Sequence, residues 1–187
     1  MLVLFLPITA FAAPISVSAQ SAIVINSADN SVIYSKNAYS SMPMASTTKI
    51  MTCVLACEST RLNDAVVITN EMLAGTEGSL IYLKPDDKIT LYDLAVAAML
   101  ASGNDAANAV AFCLSGSIAD FVALMNKKAR SIGMKNTFFV TPSGLDEKNH
   151  HSTAYDMALL ASYAMKNSCF SEICTLKSAQ ITINGKK

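Results

Sequence analysis

The sequence feature that most constrains the fold is a polar motif at the start of an apolar helical segment. Ser46-Thr47-Thr48-Lys49 precedes an apolar run with helical spacing that extends to about residue 59. Further along the chain, Ser102-Gly103-Asn104 separates two more apolar helical segments, and a glycine at such a point indicates a sharp change of direction. The two motifs therefore predict polar side chains that project from the ends of buried helices.

The order of the other segments indicates an α+β fold. Two β-rich runs at 22–26 and 31–35 flank turn-forming residues and predict a β-hairpin. Further along, the sequence predicts a strand at 66–68, a loop at 75–87, helices at 90–100, 105–114 and 118–131, a helix capped by Ser152 or Thr153, and a strand at 180–184. We therefore expect a mixed α+β domain in which a helical subdomain is inserted into an antiparallel sheet.

Composition limits the classes of function. The 187 residues are 52% hydrophobic and 15% charged, which suits one ordinary domain with a sizeable core. Fourteen basic and fourteen acidic residues leave no net charge. The sequence also lacks the stripe of basic residues that binding to nucleic acid requires. Nucleic acid is therefore not an expected partner.

The N-terminal segment has the pattern of a secretory signal peptide. Met1 to Ala13 contain no charged side chain, and small residues follow as far as Ala19. Cleavage is expected after Val17-Ser18-Ala19. This interpretation divides the chain into a signal peptide at 1–19 and an exported domain at 20–187.

The cysteines and histidines do not predict a disulfide framework or a metal site. Five cysteines are an odd number, and Cys53 and Cys57 lie one helical turn apart in an apolar run. We expect buried free thiols, no metal and no cofactor. His150 and His151 fall in a polar loop, where we expect them to be solvated. Asp105 and Asn108, beside the second motif, are interpreted as helix-capping residues.

The first motif suits nucleophilic catalysis without histidine. A serine three residues before a lysine in a helix lies on the same face as that lysine, so an uncharged amine could accept the hydroxyl proton. Burial or nearby cationic groups would have to lower the lysine pKa for this to occur. Ser46 and Lys49 are therefore a candidate nucleophile and base.

These residues resemble a known family. Met44-Ala45-Ser46-Thr47-Thr48-Lys49 and Ser102-Gly103-Asn104 are similar to the first two motifs of the serine-type D-alanyl-D-alanine carboxypeptidases, the low-molecular-mass penicillin-binding proteins. Ser143-Gly144-Leu145-Asp146 and the segment 151–158 fit the same family. The resemblance extends from about Ala22 to the end of the chain and implies a β-lactamase/transpeptidase-like fold.

The resemblance also implies roles and partners. Ser46 would attack the carbonyl between the last two D-alanines of a peptidoglycan stem peptide, with Lys49 as the base. Ser102 would relay a proton to the leaving amine, and Asn104 would bind the substrate backbone. β-Lactams would be inhibitors, and the protein would reside in the bacterial cell envelope.

One family motif is absent from these 187 residues. Family members carry a Lys-Thr-Gly on a later strand, where it receives the terminal carboxylate of the substrate, and this sequence contains none. The chain is therefore interpreted as the front part of a catalytic domain whose C-terminal strands are missing, and alone it should hydrolyse substrate poorly. Any membrane anchor would lie beyond Lys187.

Alternative functions remain open at this stage. A class A β-lactamase would need a deacylating glutamate, and neither Glu147 nor Glu172, the only glutamates after Ser102, has the expected context. A transpeptidase or endopeptidase would use the same residues on a different acceptor or substrate. A non-enzymatic homologue with a decayed site would bind cell-wall peptides without turnover.

Overall fold

The computed structural model describes residues 15–186. Four short strands and seven helices form it: β1 (Ala22–Ile25), β2 (Val32–Lys36), α1 (Lys49–Cys57), β3 (Ala65–Val67), α2 (Asn70–Leu73), β4 (Lys88–Thr90), α3 (Leu91–Leu100), α4 (Asn104–Ser115), α5 (Ile118–Ile132), α6 (Ala154–Ala164) and α7 (Ser168–Thr175). A 3-10 turn at Ala45–Thr48 leads directly into α1. The signal peptide expected at 1–19 falls largely on residues 1–14, which lie outside the described residues.

The strands form two separate antiparallel pairs. The predicted hairpin is confirmed, since β1 pairs with β2 in a register that places Ala22 opposite Lys36. The strand expected at 66–68 lies one residue earlier and pairs with β4, which the sequence analysis did not predict. The prediction of a strand at 180–184 is wrong. Asn184 adopts a left-handed backbone conformation with φ of 55°, and the chain turns back so that Ile183 pairs with Lys186.

Helix ends follow the expected chemistry. Thr90 accepts the backbone N–H of Asp93 and begins α3, as the sequence predicted. Gly133 ends α5 in the left-handed region, two residues after the predicted end of this helix at 131. Of the two candidates for α6, the cap is Thr153. The sequence pattern did not predict α7, at whose start Asn167 accepts the backbone N–H of Phe170.

The hydrophobic core is a helical layer built around α1. Met51, Cys53 and Val54 of α1 have no exposed surface, nor do Leu94 of α3 and Val110 of α4. These three helices pack against one another, and α5, α6 and α7 also pack against α1. Because α1 is central, the 3-10 turn at its start is held from several sides.

The five cysteines are free thiols with different exposure. Cys53 is buried as expected, whereas Cys57, Cys113 and Cys169 are half-buried. Cys174 is exposed, because it lies on the outer side of the short helix α7, so the expectation of burial is wrong there.

Within residues 15–186, no individual helix has both the length and the apolar character needed to cross a membrane. The helices α4 and α5 reach that length and apolarity only as a pair, and they are bent by 85° relative to each other.

Candidate active site

Ser46 and Lys49 lie at the junction of the 3-10 turn and α1. Ser46 is in the first turn, as predicted, and its side chain does not cap the helix, since no side-chain cap is present at this N-terminus. The Lys49 amine donates a hydrogen bond to Ser46 Oγ at 3.2 Å. The three-residue spacing therefore brings nucleophile and amine into contact, as expected for one helix face.

Ser102 comes to this pair from the corner between α3 and α4. Its hydroxyl donates to Ser46 Oγ at 3.0 Å and accepts from Lys49 Nζ at 3.3 Å. Ser102 has a φ of 56°, in the left-handed region that disfavours a residue with a Cβ. The fold holds this conformation at the corner, so that the two hydroxyls and the amine form a closed triangle.

Lys49 is almost completely buried, with 2% of its surface exposed. Burial disfavours the charged amine and lowers the pKa of Lys49 from 10.5 to about 8. Its third hydrogen bond, at 2.8 Å, goes to the carbonyl oxygen of Ser143. A sizeable fraction of the Lys49 amine is therefore neutral just above neutral pH, and its position is fixed by three acceptors.

Asn104 is the fourth predicted site residue, and it begins α4 on the same side of the molecule. Its side-chain amide donates to the carbonyl oxygen of Glu77 at 2.6 Å, and its backbone N–H donates to that of Ser79 at 2.8 Å. With Ser46, it lines a cleft of about 280 Å³ whose other lining residues are Ala45, Gly78, Ser79, Ser143, Gly144, Leu145 and Asp146. Two of the four predicted residues, Ser46 and Asn104, thus line one cleft, and the other two, Lys49 and Ser102, contact Ser46.

The turn at 141–145 forms another wall of the cleft and packs against the start of α1, which the sequence did not predict. Thr52 of α1 donates to the carbonyl oxygen of Pro142 at 2.6 Å, beside the bond from Lys49 to Ser143. Gly144 has a φ of 86°, and a Cβ on it would overlap the carbonyl of Ala45. No local pattern in Pro142-Ser143-Gly144 indicates this long-range contact with α1.

Two expectations about polar residues are wrong. His150 is 6% exposed rather than solvated, because both of its ring nitrogens are hydrogen-bonded inside the protein. Asp105 is not the N-cap residue of α4, which is Gly103, although its carboxylate accepts the first-turn N–H of Ala106 at 2.9 Å. The same carboxylate also accepts the backbone N–H groups of Ile81 and Leu83, each at 3.1 Å. Asn108 lies within α4 rather than at its end.

Among the described side chains, no group of three or more histidine, cysteine, aspartate or glutamate residues is placed to hold a metal ion. The polar side chains at the cleft are hydroxyls, one amide, the carboxylate of Asp146 and the adjoining Lys49 amine. Their arrangement suits acyl transfer to a serine.

The fold and the comparisons define the class of protein and then its family. The structure resembles that of a mutant of a Streptomyces DD-transpeptidase, with a TM-score of 0.85 and 28% identity over 92% of this chain and 71% of that chain. The fold is therefore the β-lactamase-like α+β fold of the DD-peptidases and penicillin-binding proteins. Residues 8–187 match the D-alanyl-D-alanine carboxypeptidase family, and the chain belongs to that family.

Two curated relatives agree with this assignment. D-alanyl-D-alanine carboxypeptidase DacF of Bacillus subtilis is 42% identical over 153 residues, which cover 79% of this chain and 39% of the relative. D-alanyl-D-alanine carboxypeptidase DacC of Escherichia coli is 36% identical over 200 aligned positions, which cover 98% of this chain and 49% of the relative. The chain thus spans less than half the length of either relative.

Proposed function

We propose that this protein is a serine-type D-Ala-D-Ala carboxypeptidase that removes the terminal D-alanine from peptidoglycan stem peptides. The observation that carries the proposal is the triangle of Ser46, Lys49 and Ser102, in which a buried amine contacts two serine hydroxyls. The family and the names of the relatives supply the substrate class. No cofactor takes part in the proposed reaction.

Acylation begins when neutral Lys49 accepts the proton of Ser46 Oγ at their 3.2 Å contact. Ser46 Oγ then bonds to the carbonyl carbon between the two D-alanines, and a tetrahedral oxyanion forms. When the carbon–nitrogen bond breaks, the Lys49 proton passes through the Ser102 hydroxyl to the leaving amine. D-Alanine departs and an acyl-enzyme remains on Ser46.

Asn104 and the backbone of the first helical turn position the substrate. The Asn104 side chain lines the cleft beside Ser46, where its amide can bind the peptide backbone of the substrate. Ser46 lies in a first helical turn, where backbone N–H groups lack partners within the helix, so its N–H is suited to binding the oxyanion. Water then attacks the acyl carbon, and the released proton returns to Ser46 through Lys49.

The reaction should depend on the protonation of Lys49. Its pKa of about 8 means that acylation falls about tenfold for each pH unit below that value, because only the neutral amine accepts a proton. β-Lactams, whose reactive amide would occupy the same position as the scissile bond, should follow the same dependence.

A labelling experiment tests the proposal. Full-length protein expressed from the gene should form a covalent adduct with a fluorescent penicillin and release D-alanine from a D-Ala-D-Ala peptide. Ser46→Ala should abolish both. Ser131→Ala, at an exposed serine of α5, should retain both. Adduct formation that survives Ser46→Ala would contradict the assigned nucleophile.

A second candidate reaction is transpeptidation, which is favoured by the structural similarity to the Streptomyces DD-transpeptidase. The acyl-enzyme would be the same, but an amine would replace water as the acceptor. Product analysis separates the possibilities. Free D-alanine with a shortened peptide indicates a carboxypeptidase, cross-linked product a transpeptidase, and cleaved dimers an endopeptidase.

Two further alternatives have distinct outcomes in the same assays. Rapid turnover of penicillin would indicate a β-lactamase-like relative. Absence of any adduct in the full-length protein would indicate a decayed homologue that binds cell-wall peptides without catalysis.

Location and domain organisation are also part of the proposal. We infer that residues 1–19 direct export to the bacterial cell envelope, and that 20–187 belong to a transpeptidase-like catalytic domain. Because these 187 residues contain no Lys-Thr-Gly, the chain alone should show little turnover compared with the full-length gene product. A membrane anchor beyond Lys187 would be compatible with this arrangement.

A further inference from the structure

His150 is a buried histidine that the proposed reaction does not use. Its Nδ1 accepts the backbone N–H groups of Val140 at 2.9 Å and Thr141 at 3.3 Å. Its Nε2 lies 2.8 Å from the hydroxyl of Thr48, and its ring packs edge-on against Phe139. Every polar atom of the ring is thus bound within the protein.

These contacts define one tautomer. Two N–H groups point at Nδ1, so this nitrogen must present its lone pair and cannot carry a hydrogen. The ring hydrogen is therefore on Nε2 and is donated to Thr48 Oγ1. His150 is neutral in this arrangement, because a proton on Nδ1 would face two other donors.

The surroundings of His150 favour this neutral form. Burial is the largest influence and lowers the pKa of His150 below its ordinary value of 6.5. Asp146 and Glu147 oppose this effect and raise the pKa, whereas His151 lowers it. The 3-10 turn that packs against His150 contributes the neutral hydroxyl of Thr48, and Lys49 follows Thr48 in sequence.

His150 connects the two chain segments that hold the Lys49 amine, the 3-10 turn before α1 and the turn at 141–145. Thr48, on one side, lies between Ser46 and Lys49 in the helical turn. Val140 and Thr141, on the other side, lead into the turn whose Ser143 carbonyl accepts from Lys49. A Cβ at Gly144 would come within 2.8 Å of Thr48 Oγ1, so the two structures are in direct contact beneath the site.

We propose that neutral His150 is a positioning residue, which fixes the 141–145 turn against the start of α1 and so holds Lys49 against Ser46. The inference rests on the proposed function. Protonation of His150 would replace two accepted hydrogen bonds with opposed donors and release the turn. Acylation would then require two neutral groups, Lys49 and His150.

The requirement for two neutral groups has a kinetic signature. Below a pH of about 8 the acylation rate should fall tenfold per pH unit because of Lys49. Below the pKa of His150 the fall should steepen toward a hundredfold per pH unit. A residue with only a structural role would change the rate without changing this slope.

The test measures the rate of acylation by a fluorescent penicillin between pH 4.5 and 9 in the full-length protein. His150→Asn places an amide oxygen near the position of Nδ1, where it can accept from Val140 and Thr141, but it does not titrate. The acylation rate of this variant should then fall only tenfold per pH unit throughout the acidic range. His150→Gln retains only a donor toward Thr48, and at pH 8 it should be roughly tenfold slower than His150→Asn.

The neighbouring histidine provides the matched control. His151 is less buried and its ring contacts the carbonyl oxygen of Asn149. His151→Asn should therefore keep the steep pH dependence of the acylation rate that is expected for the wild type. The inference would be overturned if the acylation rate of the wild type fell only tenfold per pH unit at low pH. It would also be overturned if His150→Asn kept the steeper dependence of the wild type. Absence of any wild-type adduct would overturn the proposed function together with this inference.

A measurement on the unmodified protein avoids any dependence on the folding of a variant. Nitrogen-15 NMR of labelled histidine should show the Nε2–H tautomer for His150 at pH 7 and a pKa below 6.5. An Nδ1–H tautomer would overturn the inference, even if penicillin binding had failed as well.

Discussion

At the scale of single residues, Lys49 shows how reactivity and stability oppose each other in this site. The amine is buried beside two hydroxyls and a carbonyl oxygen, with no carboxylate among its hydrogen-bond acceptors. Its pKa is therefore about 8, whereas an unfolded chain would have a lysine pKa of about 10.5. Below pH 8 the folded protein must hold a buried positive charge, which costs free energy.

This cost gives a prediction with a definite sign. The pKa of Lys49 is lower in the folded state, so from pH 8 to 10.5 the unfolded chain binds a proton that the folded protein has released, and stability rises with pH. Between pH 7 and pH 10, the free energy of unfolding of the wild type should rise by roughly 2 kcal/mol more than that of Lys49→Met. Urea denaturation of both proteins at each pH measures this difference.

The control for this prediction is Lys166→Met, which changes an exposed lysine just after α6. Its difference from the wild type should stay flat over the same pH range. An equally flat difference for Lys49→Met would show that burial does not lower the pKa of Lys49.

At the scale of secondary-structure elements, the start of α4 holds in place the loop between α2 and β4, which forms one wall of the cleft. Asp105, in the first turn of α4, is 2% exposed and accepts two backbone N–H groups from the loop at Ile81 and Leu83. Asn104 binds the same loop at Glu77 and Ser79. The loop wall of the cleft is thus set by the start of one helix.

Removal of the Asp105 carboxylate should therefore cost stability. Asp105→Ala removes the acceptor of three backbone N–H groups, those of Ile81, Leu83 and Ala106, and we expect a loss of about 2 to 3 kcal/mol in the free energy of unfolding. Asp105→Asn keeps one acceptor oxygen and should lose less. Chemical denaturation at neutral pH measures both.

Asp120→Ala is the comparison variant, because Asp120 is also in a first helical turn but is exposed and bonds to Ser117. It should cost no more than about 1 kcal/mol. A loss for Asp105→Ala no larger than that for Asp120→Ala would mean that the loop is held by other contacts.

The elements also show what the sequence could and could not predict. Helical periodicity and capping residues located α1, α3, α4, α5 and α6 closely, because both signals are local. The sequence motifs indicated four candidate site residues, namely Ser46, Lys49, Ser102 and Asn104. The burial of His150 and the role of Asp105 depend on partners distant in the chain, and no local pattern encodes such partners.

At the scale of the whole molecule, stability is concentrated in the helical layer. Val54, Leu94 and Val110 of α1, α3 and α4 have no exposed surface. In the β1–β2 hairpin, by contrast, Ile33 is 70% exposed and Val24 is 50% exposed. Opening of the hairpin therefore uncovers little additional apolar surface, whereas opening of the helical layer uncovers the core.

Native-state hydrogen exchange of the 187-residue chain should reveal this difference. Amides in the middle of α1, α3 and α4 should exchange only through global unfolding. Amides of β1 and β2 should exchange through a local opening of lower free energy. Equal protection of the hairpin and α3 would show that the molecule opens as one cooperative unit.

Gly144 has a consequence for how mutational tolerance is interpreted in this protein. It contributes no reacting atom, yet the carbonyl of Ala45 occupies the space that any other side chain would need. A saturation screen that selects for formation of a penicillin adduct would therefore reject all substitutions at position 144 as firmly as those at Ser46. Intolerance at this position reports lack of space, and an assignment of catalytic residues from such a screen alone would contain one that does no chemistry.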